Sequence, residues 1–288
     1  MIDYLLEPFS YHYMARAIWV CGLVGVTCAF LSSYLMLKGW SLMGDALGHS
    51  IVPGVVLAYV LGLPYAVGAF FTGFLAALSM TFVKQKTKLR EDTVIGLVFT
   101  SFFAAGLLMV SINPASVNIQ AVILGNILAI SDSDVLQVVL IAAVCLLVLC
   151  VKWKDFLAVF FDENHARSIG LPVQGMTILF FSLLSAATVA ALQAVGACLV
   201  IAMVATPGAS AYLLTDKFGR LVIISVLLGG FTSAFGAYLS FFIDANPGGL
   251  IVSMQTLIFL LAFVFAPKYG LLAKNRVPRS AQTEAVNG

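Results

Sequence analysis

The stretch Lys38-Gly-Trp-Ser-Leu-Met-Gly-Asp45-Ala-Leu-Gly-His49-Ser-Ile-Val-Pro53-Gly54 lies in a mostly apolar chain, yet it carries an aspartate and a histidine four residues apart. On a helix this spacing places both side chains on one face, with about 5–6 Å between their Cβ atoms. A carboxylate and an imidazole together suit a manganese, iron or zinc ion. Because ionisable groups are costly inside a membrane, Asp45 and His49 are the candidate metal ligands.

The composition is typical of a membrane protein. Of the 288 residues, 61% are hydrophobic and 10% are charged, whereas about a quarter of the residues are charged in soluble domains. Apolar runs of about twenty residues, the length of a helix that crosses a bilayer core, recur along the chain. We therefore predict an all-α, polytopic transmembrane helical bundle. Nothing in the net charge of +2 favours nucleic-acid binding.

The chain is predicted to form one transmembrane domain, residues 1–288. Its membrane core covers residues 10–270, and residues 271–288 form a basic and then flexible cytoplasmic tail. Residues 1–13 are predicted as an interfacial segment. Residues 119–130 are too short to span and are predicted as a re-entrant or surface helix. We predict nine spans, with eight as the alternative, at about 15–37, 41–61, 65–83, 93–110, 134–151, 174–192, 197–214, 221–243 and 250–266.

The basic residues predict the orientation of these spans. If the loop at residues 84–90 faces the cytoplasm, 14 of the 15 lysine and arginine residues fall inside, and only Arg16 lies near the outer face. The outer loops then carry Asp132, Asp134 and Asp244. The N-terminus is predicted to lie outside and the C-terminus in the cytoplasm.

Asp45 is the one acidic residue, of thirteen, that is predicted to lie well inside a span. Two ligands are too few for a permanent structural metal, which usually has four, but they suit an ion that must bind and then leave. Further ligands would come from a second copy of the chain, backbone carbonyls or water, and Met43 is a soft donor nearby. The alternative is an Asp45–His49 hydrogen bond that only ties helices together.

Glycine and proline residues are predicted to shape the pathway helices. Gly44 and Gly48 allow helices to approach closely. Pro53 can kink its helix and free a carbonyl, and Pro207 is predicted to interrupt the span at 197–214. Ordinary membrane-helix composition explains the same residues equally well.

Residues 161–172 predict a short amphipathic cytoplasmic helix, with an acidic start and a Gly-Leu-Pro end. It is either a docking helix for a soluble partner or a plain connection. No G-x-x-x-x-G-K-[ST] phosphate loop occurs in the chain, so ATP binding by that route is excluded. The common hydrolase signatures H-E-x-x-H and G-x-S-x-G are absent as well.

Residues 39–54 resemble the signature of the membrane permease subunits of ABC importers for manganese, zinc and iron. The stretch Ala194-Val-Gly-Ala-Cys-Leu-Val-Ile-Ala-Met-Val-Ala-Thr-Pro-Gly-Ala-Ser-Ala-Tyr-Leu-Leu-Thr is similar to a second block of that family. Asp162, Ala166 and Gly170 match its Asp-x-x-x-Ala-x-x-x-Gly coupling pattern. The resemblance covers about residues 10–270, and it departs at Trp40, where relatives also have a second glycine.

The resemblance implies an assembly in the bacterial cytoplasmic (inner) membrane. Two permease chains would pair around a central pathway within the lipid, and cytoplasmic ATPase subunits would dock on the coupling helix at residues 162–171. An extracytoplasmic metal-binding protein would deliver the ion. The family's membrane metal site carries over onto Asp45 and His49. No permanently bound cofactor is implied, because the metal is the transported ion.

The leading hypothesis is therefore a non-enzymatic permease of an ATP-driven importer of Mn²⁺ or Fe²⁺, or Zn²⁺. One alternative is a proton-coupled secondary metal transporter without an ATPase, and another is an intramembrane metalloenzyme. The sequence leaves open which metal is carried, whether the partner permease is identical or paralogous, and which further ligands complete the site. Gly125-Asn126 and residues 111–133 are gate candidates by location alone.

Overall fold

The structure is a computed structural model that describes residues 2–40, 42–112, 131–266 and 270. These residues form helices joined by short turns and contain no strand, which confirms the predicted helical bundle. The helices are α1 (Ile2–Ser10), α2 (His12–Lys38), α3 (Met43–Ser50), α4 (Val52–Val60), α5 (Tyr65–Lys86), α6 (Glu91–Ile112), α7 (Asp132–Phe161), α8 (Glu163–Ser168), α9 (Val173–Val195), α10 (Ala197–Leu214), α11 (Phe218–Ile243) and α12 (Pro247–Phe265).

Eight spans in the described part of the chain are long and apolar enough to cross a membrane, with α3 and α4 together forming one of them. The predicted span at 197–214 coincides with α10, in which an apolar stretch shorter than the eight spans covers residues 202–214. The eight spans agree with the predicted range of eight to nine, and α10 is the element on which the ninth depends. The predicted helix at 119–130, the Gly125-Asn126 gate candidate and the tail at 271–288 lie outside the described residues.

Helix α2 forms the centre of the bundle and packs against α7, α9, α10 and α11. Its Tyr34 is fully buried among the rings of Phe156, Phe160 and Phe180, whose centroids lie 5.9–6.0 Å away. The Tyr34 hydroxyl donates a hydrogen bond to the Trp153 carbonyl at 3.0 Å. This aromatic core joins α2 to α7 and α9 through contacts in edge-to-face geometry.

The second span is broken into α3 and α4 at Ile51, two residues before Pro53. The break follows from Pro53, which has no N–H to donate to the carbonyl one turn earlier. The Ile51 carbonyl accepts a hydrogen bond from the Thr72 hydroxyl of α5 at 3.4 Å. Close backbone contact between Gly54 and Gly68 then holds α4 against α5, because a Cβ on Gly54 would lie 2.1 Å from the Gly68 oxygen.

Helix α7 extends ten residues beyond the predicted end of the fifth span at residue 151. Lys152 and Asp155 lie one turn apart on this helix and form an ion pair of 3.0 Å. Charged side chains end the apolar surface of a helix but leave its backbone hydrogen bonds intact. The chain therefore leaves α7 only at Asp162, which is also the N-cap of α8.

The predicted interruption of the span at Pro207 is wrong, because α10 continues through this residue. Ser32 of α2 forms hydrogen bonds with the backbone on both sides of Pro207. Its hydroxyl accepts a hydrogen bond from the Gly208 N–H at 3.0 Å and donates one to the Ala205 carbonyl at 3.2 Å. In membranes, side chains of neighbouring helices commonly satisfy the backbone groups that a proline leaves free.

Candidate functional site

Asp45 and His49 lie on one face of α3, as their spacing predicts. The His49 Nε2 atom lies 3.4 Å from Asp45 Oδ1, and the two side chains are 26% and 37% exposed, respectively. Asp45 Oδ1 is a buried atom without a hydrogen-bond partner. Two adjacent ligands of a tetrahedral metal, each about 2.05 Å from the ion, lie about 3.3 Å apart. The separation of the two atoms therefore fits ligands of one metal ion.

The pair lies closer to a helix end than the sequence predicts. Asp45 is the third residue of α3, rather than a residue well inside the span. The N-terminal turn of a helix carries partial positive charge, which stabilises a carboxylate there. The structure thus explains how an aspartate is tolerated in an apolar span, and it places the pair within two turns of the residues that precede α3.

Two aromatic rings of α6 enclose the imidazole. The ring centroids of Phe99 and Phe103 lie 5.5 and 5.4 Å from that of His49, and the two rings stack on one another. These contacts restrict the rotation of the imidazole and therefore the direction of its nitrogen atoms. Sequence reasoning missed both residues. Their spacing of four predicts a shared helix face, but no local pattern indicates that this face meets His49.

The predicted shaping residues have steric roles around the site. A Cβ on Gly44 would lie 2.8 Å from Val204 Cγ1, so this glycine lets α3 approach α10. Gly48 is buried. A Cβ on Gly106 of α6 would lie 3.0 Å from Pro53 Cδ. Glycines on α3 and α6 thereby let α3 pack against α10 and α6 pack against α4.

In the described part of the chain, no further protein ligands of the usual kind lie beside Asp45 and His49. No group of three or more His, Cys, Asp or Glu side chains suited to a metal occurs there. Met43 is 3% exposed and belongs to the hydrophobic core. Met43 lies two positions before Asp45, which corresponds to a rotation of about 200° around the helix axis. Its side chain therefore points away from the pair. The arrangement supplies two donors and leaves the remaining positions of an ion open.

The short helix α8 occupies the predicted coupling segment. Asp162 is its N-cap, and the carboxylate accepts hydrogen bonds from the N–H groups of Asn164 and His165 at 2.9 and 3.1 Å. Ala166 is completely buried, and Gly170 has a φ of +81° just after the helix. The three residues of the pattern therefore begin, anchor and end the helix. All residues from 161 to 170 except Ala166 are exposed, among them Asn164 and His165 on α8.

Comparisons with known proteins agree over nearly the whole chain. The model of the family described as "ABC 3 transport family" matches residues 10–266. The chelated iron transport system membrane protein YfeC of Yersinia pestis is 67% identical over 273 residues, which cover 95% of this chain and 93% of YfeC. The manganese transport system membrane protein MntB of Synechocystis sp. is 47% identical over 277 residues, which cover 96% of this chain and 90% of MntB.

A solved structure shares the fold. A chain of PsaBC from Streptococcus pneumoniae, determined in complex with Fab, superimposes with a TM-score of 0.84 at 32% sequence identity. The match covers 96% of this chain and all of that chain. The similarity therefore extends over nearly the whole helical bundle.

Proposed function

Since the chain belongs to the ABC 3 transport family, we propose that it forms the membrane pathway for a divalent transition metal ion, Mn²⁺ or Fe²⁺, with Zn²⁺ as a further candidate. The chain is a multi-span ABC permease of the bacterial inner membrane and is not an enzyme, because ATP hydrolysis belongs to a separate subunit. The relatives named for chelated iron and for manganese support a metal as the transported ion.

The observation that carries the proposal is the Asp45–His49 pair with its unpartnered, buried Asp45 Oδ1. A site with two donors from the chain holds an ion loosely unless other ligands join it. We assign those ligands to a second permease chain, to backbone carbonyls or to water. Such a site binds the ion in passing and releases it when its surroundings move.

The partners follow from the same proposal. An ATPase subunit docks on α8, where Asn164 and His165 are exposed. A second permease chain faces the half-exposed side of Asp45 and His49. An extracytoplasmic metal-binding protein delivers the ion at the opposite end of the bundle, and lipid covers the exposed apolar faces of α6, α7 and α12.

Ion pairs at the two ends of the bundle support the proposed orientation. Lys38 pairs with Glu163 and Lys84 pairs with Glu91, which groups basic residues of α2 and α5 at one end. Arg16 pairs with Asp132, away from that group. The positive-inside rule places the first end in the cytoplasm. The N-terminus then lies outside and the C-terminus inside, with α10 as the ninth crossing.

The second candidate function is a proton-coupled metal transporter that needs no ATPase. A carboxylate and an imidazole 3.4 Å apart could pass a proton between them, as ionisable groups do in many transporters. This candidate predicts uptake that follows a proton gradient and is independent of ATP.

Uptake of radiolabelled Mn²⁺, Fe²⁺ and Zn²⁺ into proteoliposomes tests both candidates. The vesicles contain this chain, its partner permease and the ATPase, and the binding protein is added outside. We expect uptake that requires hydrolysable ATP and that disappears in the His49→Ala variant. His12→Ala is the matched control, because His12 is exposed and hydrogen-bonded to Arg16. Uptake that persists without ATP would favour the proton-coupled transporter instead.

A further inference from the structure

Five side chains form a polar cluster at the proposed cytoplasmic end of the bundle. The Trp40 indole N–H donates a hydrogen bond to Glu91, and Lys84 forms an ion pair with the same carboxylate. Lys38 Nζ lies 2.7 Å from Glu163 Oε1. The ammonium groups of Lys38 and Lys84 lie 5.7 and 5.6 Å from the centroid of the Trp40 ring. We call these five residues the Trp40 cluster.

Each member of the Trp40 cluster lies at or beside the end of a helix. Lys38 is the last residue of α2, Glu91 is the first of α6 and Glu163 is the first of α8. Trp40 follows the turn at Gly39, which has a φ of +75° and caps α2. Because these residues contact one another directly, a movement of α8 would be passed on to the beginnings of α3 and α6.

The Trp40 ring is held firmly enough to transmit such a movement. It is 9% exposed, and it stacks on Phe181 with 5.4 Å between centroids and meets the edge of Phe160 at 5.7 Å. The Lys38 side chain is 19% exposed and that of Glu163 is 46% exposed, so this ion pair is partly shielded from water. The Trp40 cluster is thus partly buried and packs against the rings of Phe160 and Phe181.

Two of the helices that begin at the Trp40 cluster, α3 and α6, build the proposed metal site. Helix α3 starts three residues after Trp40 and carries Asp45 and His49. Helix α6 starts at Glu91 and carries Phe103, whose ring packs on His49. A shift at the cluster therefore changes the position of the ligands relative to their aromatic neighbour.

Unfilled space beside the Trp40 cluster gives α8 room to move. A cavity of about 480 Å³ is lined by Trp40, Lys84, Glu91 and Glu163, together with Met43 at the start of α3. Tightly packed cores resist displacement. An open volume between α8 and the start of α3 lets the two approach or separate without repacking the aromatic core.

We propose that Lys38, Trp40 and Glu163 are positioning residues that link movement of α8 to the geometry of the Asp45–His49 site. The proposal rests on the proposed function, because it takes α8 as the segment that the ATPase moves. Displacement of Glu163 pulls Lys38 and the turn at Gly39, and Trp40 transfers the shift to Glu91. The ligands then move relative to Phe103, and the site releases its ion.

The test compares metal uptake with ATP hydrolysis in proteoliposomes that contain the complete complex. Glu163→Gln and Lys38→Gln each remove one charge of the link. We expect ATP hydrolysis to continue and the number of ions taken up per ATP to fall about tenfold, within the range typical of coupling between sites. The double variant should show no further loss, because both changes break one link. Equilibrium metal binding should stay unchanged.

Two further variants make the comparison sharper. Trp40→Phe keeps the ring but removes the indole N–H, and we expect the same loss even if a charge variant fails to assemble. Lys152→Gln is the control, because it breaks an exposed ion pair of 3.0 Å on α7 that makes no contact with the site. This control should transport normally.

Unchanged uptake per ATP in both single variants would overturn the proposal. Equal losses of hydrolysis and uptake would overturn it as well, because they would mean that Glu163 only helps the ATPase to dock. Losses that add in the double variant would exclude a common link. A wild-type complex that hydrolyses ATP without metal uptake would refute the proposed function itself, and this inference with it.

Discussion

His49 Nε2 and Asp45 Oδ1 lie 3.4 Å apart on one helix face, but no hydrogen bond joins them, and the oxygen is buried. A buried polar atom without a partner typically costs about 1–3 kcal/mol. The pair therefore contributes little to the stability of the empty protein. A metal ion between the two atoms would satisfy both, as the proposed binding role requires.

Asp45→Asn is expected to weaken metal binding while leaving the fold intact. The amide has nearly the same size as the carboxylate but lacks its negative charge. Loss of a residue that only supports a metal ligand typically lowers metal affinity by roughly 10–100-fold, and loss of the ligand itself should lower it further. The metal affinity is measured as equilibrium binding of Mn²⁺ to the purified complex. Thermal unfolding of the same variant should be unchanged or slightly raised. A lower unfolding temperature with normal binding would instead support a polar tie between helices.

Phe103→Leu is expected to impair the site without unfolding the bundle. Loss of the ring contact at 5.4 Å frees the imidazole to rotate. Contacts of aromatic rings contribute about 0.5–1.5 kcal/mol, which corresponds to a roughly three- to tenfold weaker metal affinity. Phe71→Leu is the matched control, because Phe71 is 62% exposed and lies on α5. Equal affinities in the two variants would show that the aromatic wall plays no part in binding.

Asp162→Ala is expected to loosen α8. The change removes the N-cap carboxylate that accepts two backbone hydrogen bonds, and such a loss costs about 1 kcal/mol. Binding of the ATPase subunit, measured by titration of the solubilised permease, should weaken roughly fivefold. Asp162→Asn should bind almost normally, since asparagine caps helices as well as aspartate does. If both variants bind equally poorly, the charge of Asp162 matters rather than the cap.

Gly54→Ala is expected to destabilise the permease strongly. The new Cβ would lie 2.1 Å from the Gly68 oxygen, so α4 and α5 must move apart, at a cost of about 3 kcal/mol. The unfolding temperature in detergent measures the effect. Gly96→Ala is the control, because no atom lies within 4 Å of its added Cβ and alanine is the better helix former. Similar unfolding temperatures for the two variants would contradict this close contact.

Features that depend on residues close together in the chain could be predicted from the sequence. The apolar runs indicate membrane helices, and the spacing of Asp45 and His49 places them on one face. The glycine at 39 predicts the turn before the site, and its φ of +75° confirms that turn. The acidic start and the Gly-Leu-Pro end predict a short helix near 161–172, where α8 covers Glu163–Ser168.

Two errors show where local patterns are insufficient. Hydropathy marks the end of apolar surface at residue 151, but α7 ends at Phe161 because its backbone hydrogen bonds continue. Pro207 predicts an interruption, yet Ser32 satisfies neighbouring backbone groups from 176 positions away in the chain. Pro207 therefore lies inside a continuous helix, and Ser32 of α2 bonds to the backbone on both sides of it.

By itself, the sequence determined the class of fold, the number of spans to within one and the pair of candidate ligands. These depend on hydrophobic length and helical period, which are properties of consecutive residues. Only the tertiary structure decided that Phe99 and Phe103 enclose His49, and that Trp40 binds Glu91, 51 positions away. Contacts of this kind arise when apolar helices pack side by side, and the choice of neighbours depends on the shapes of whole helices.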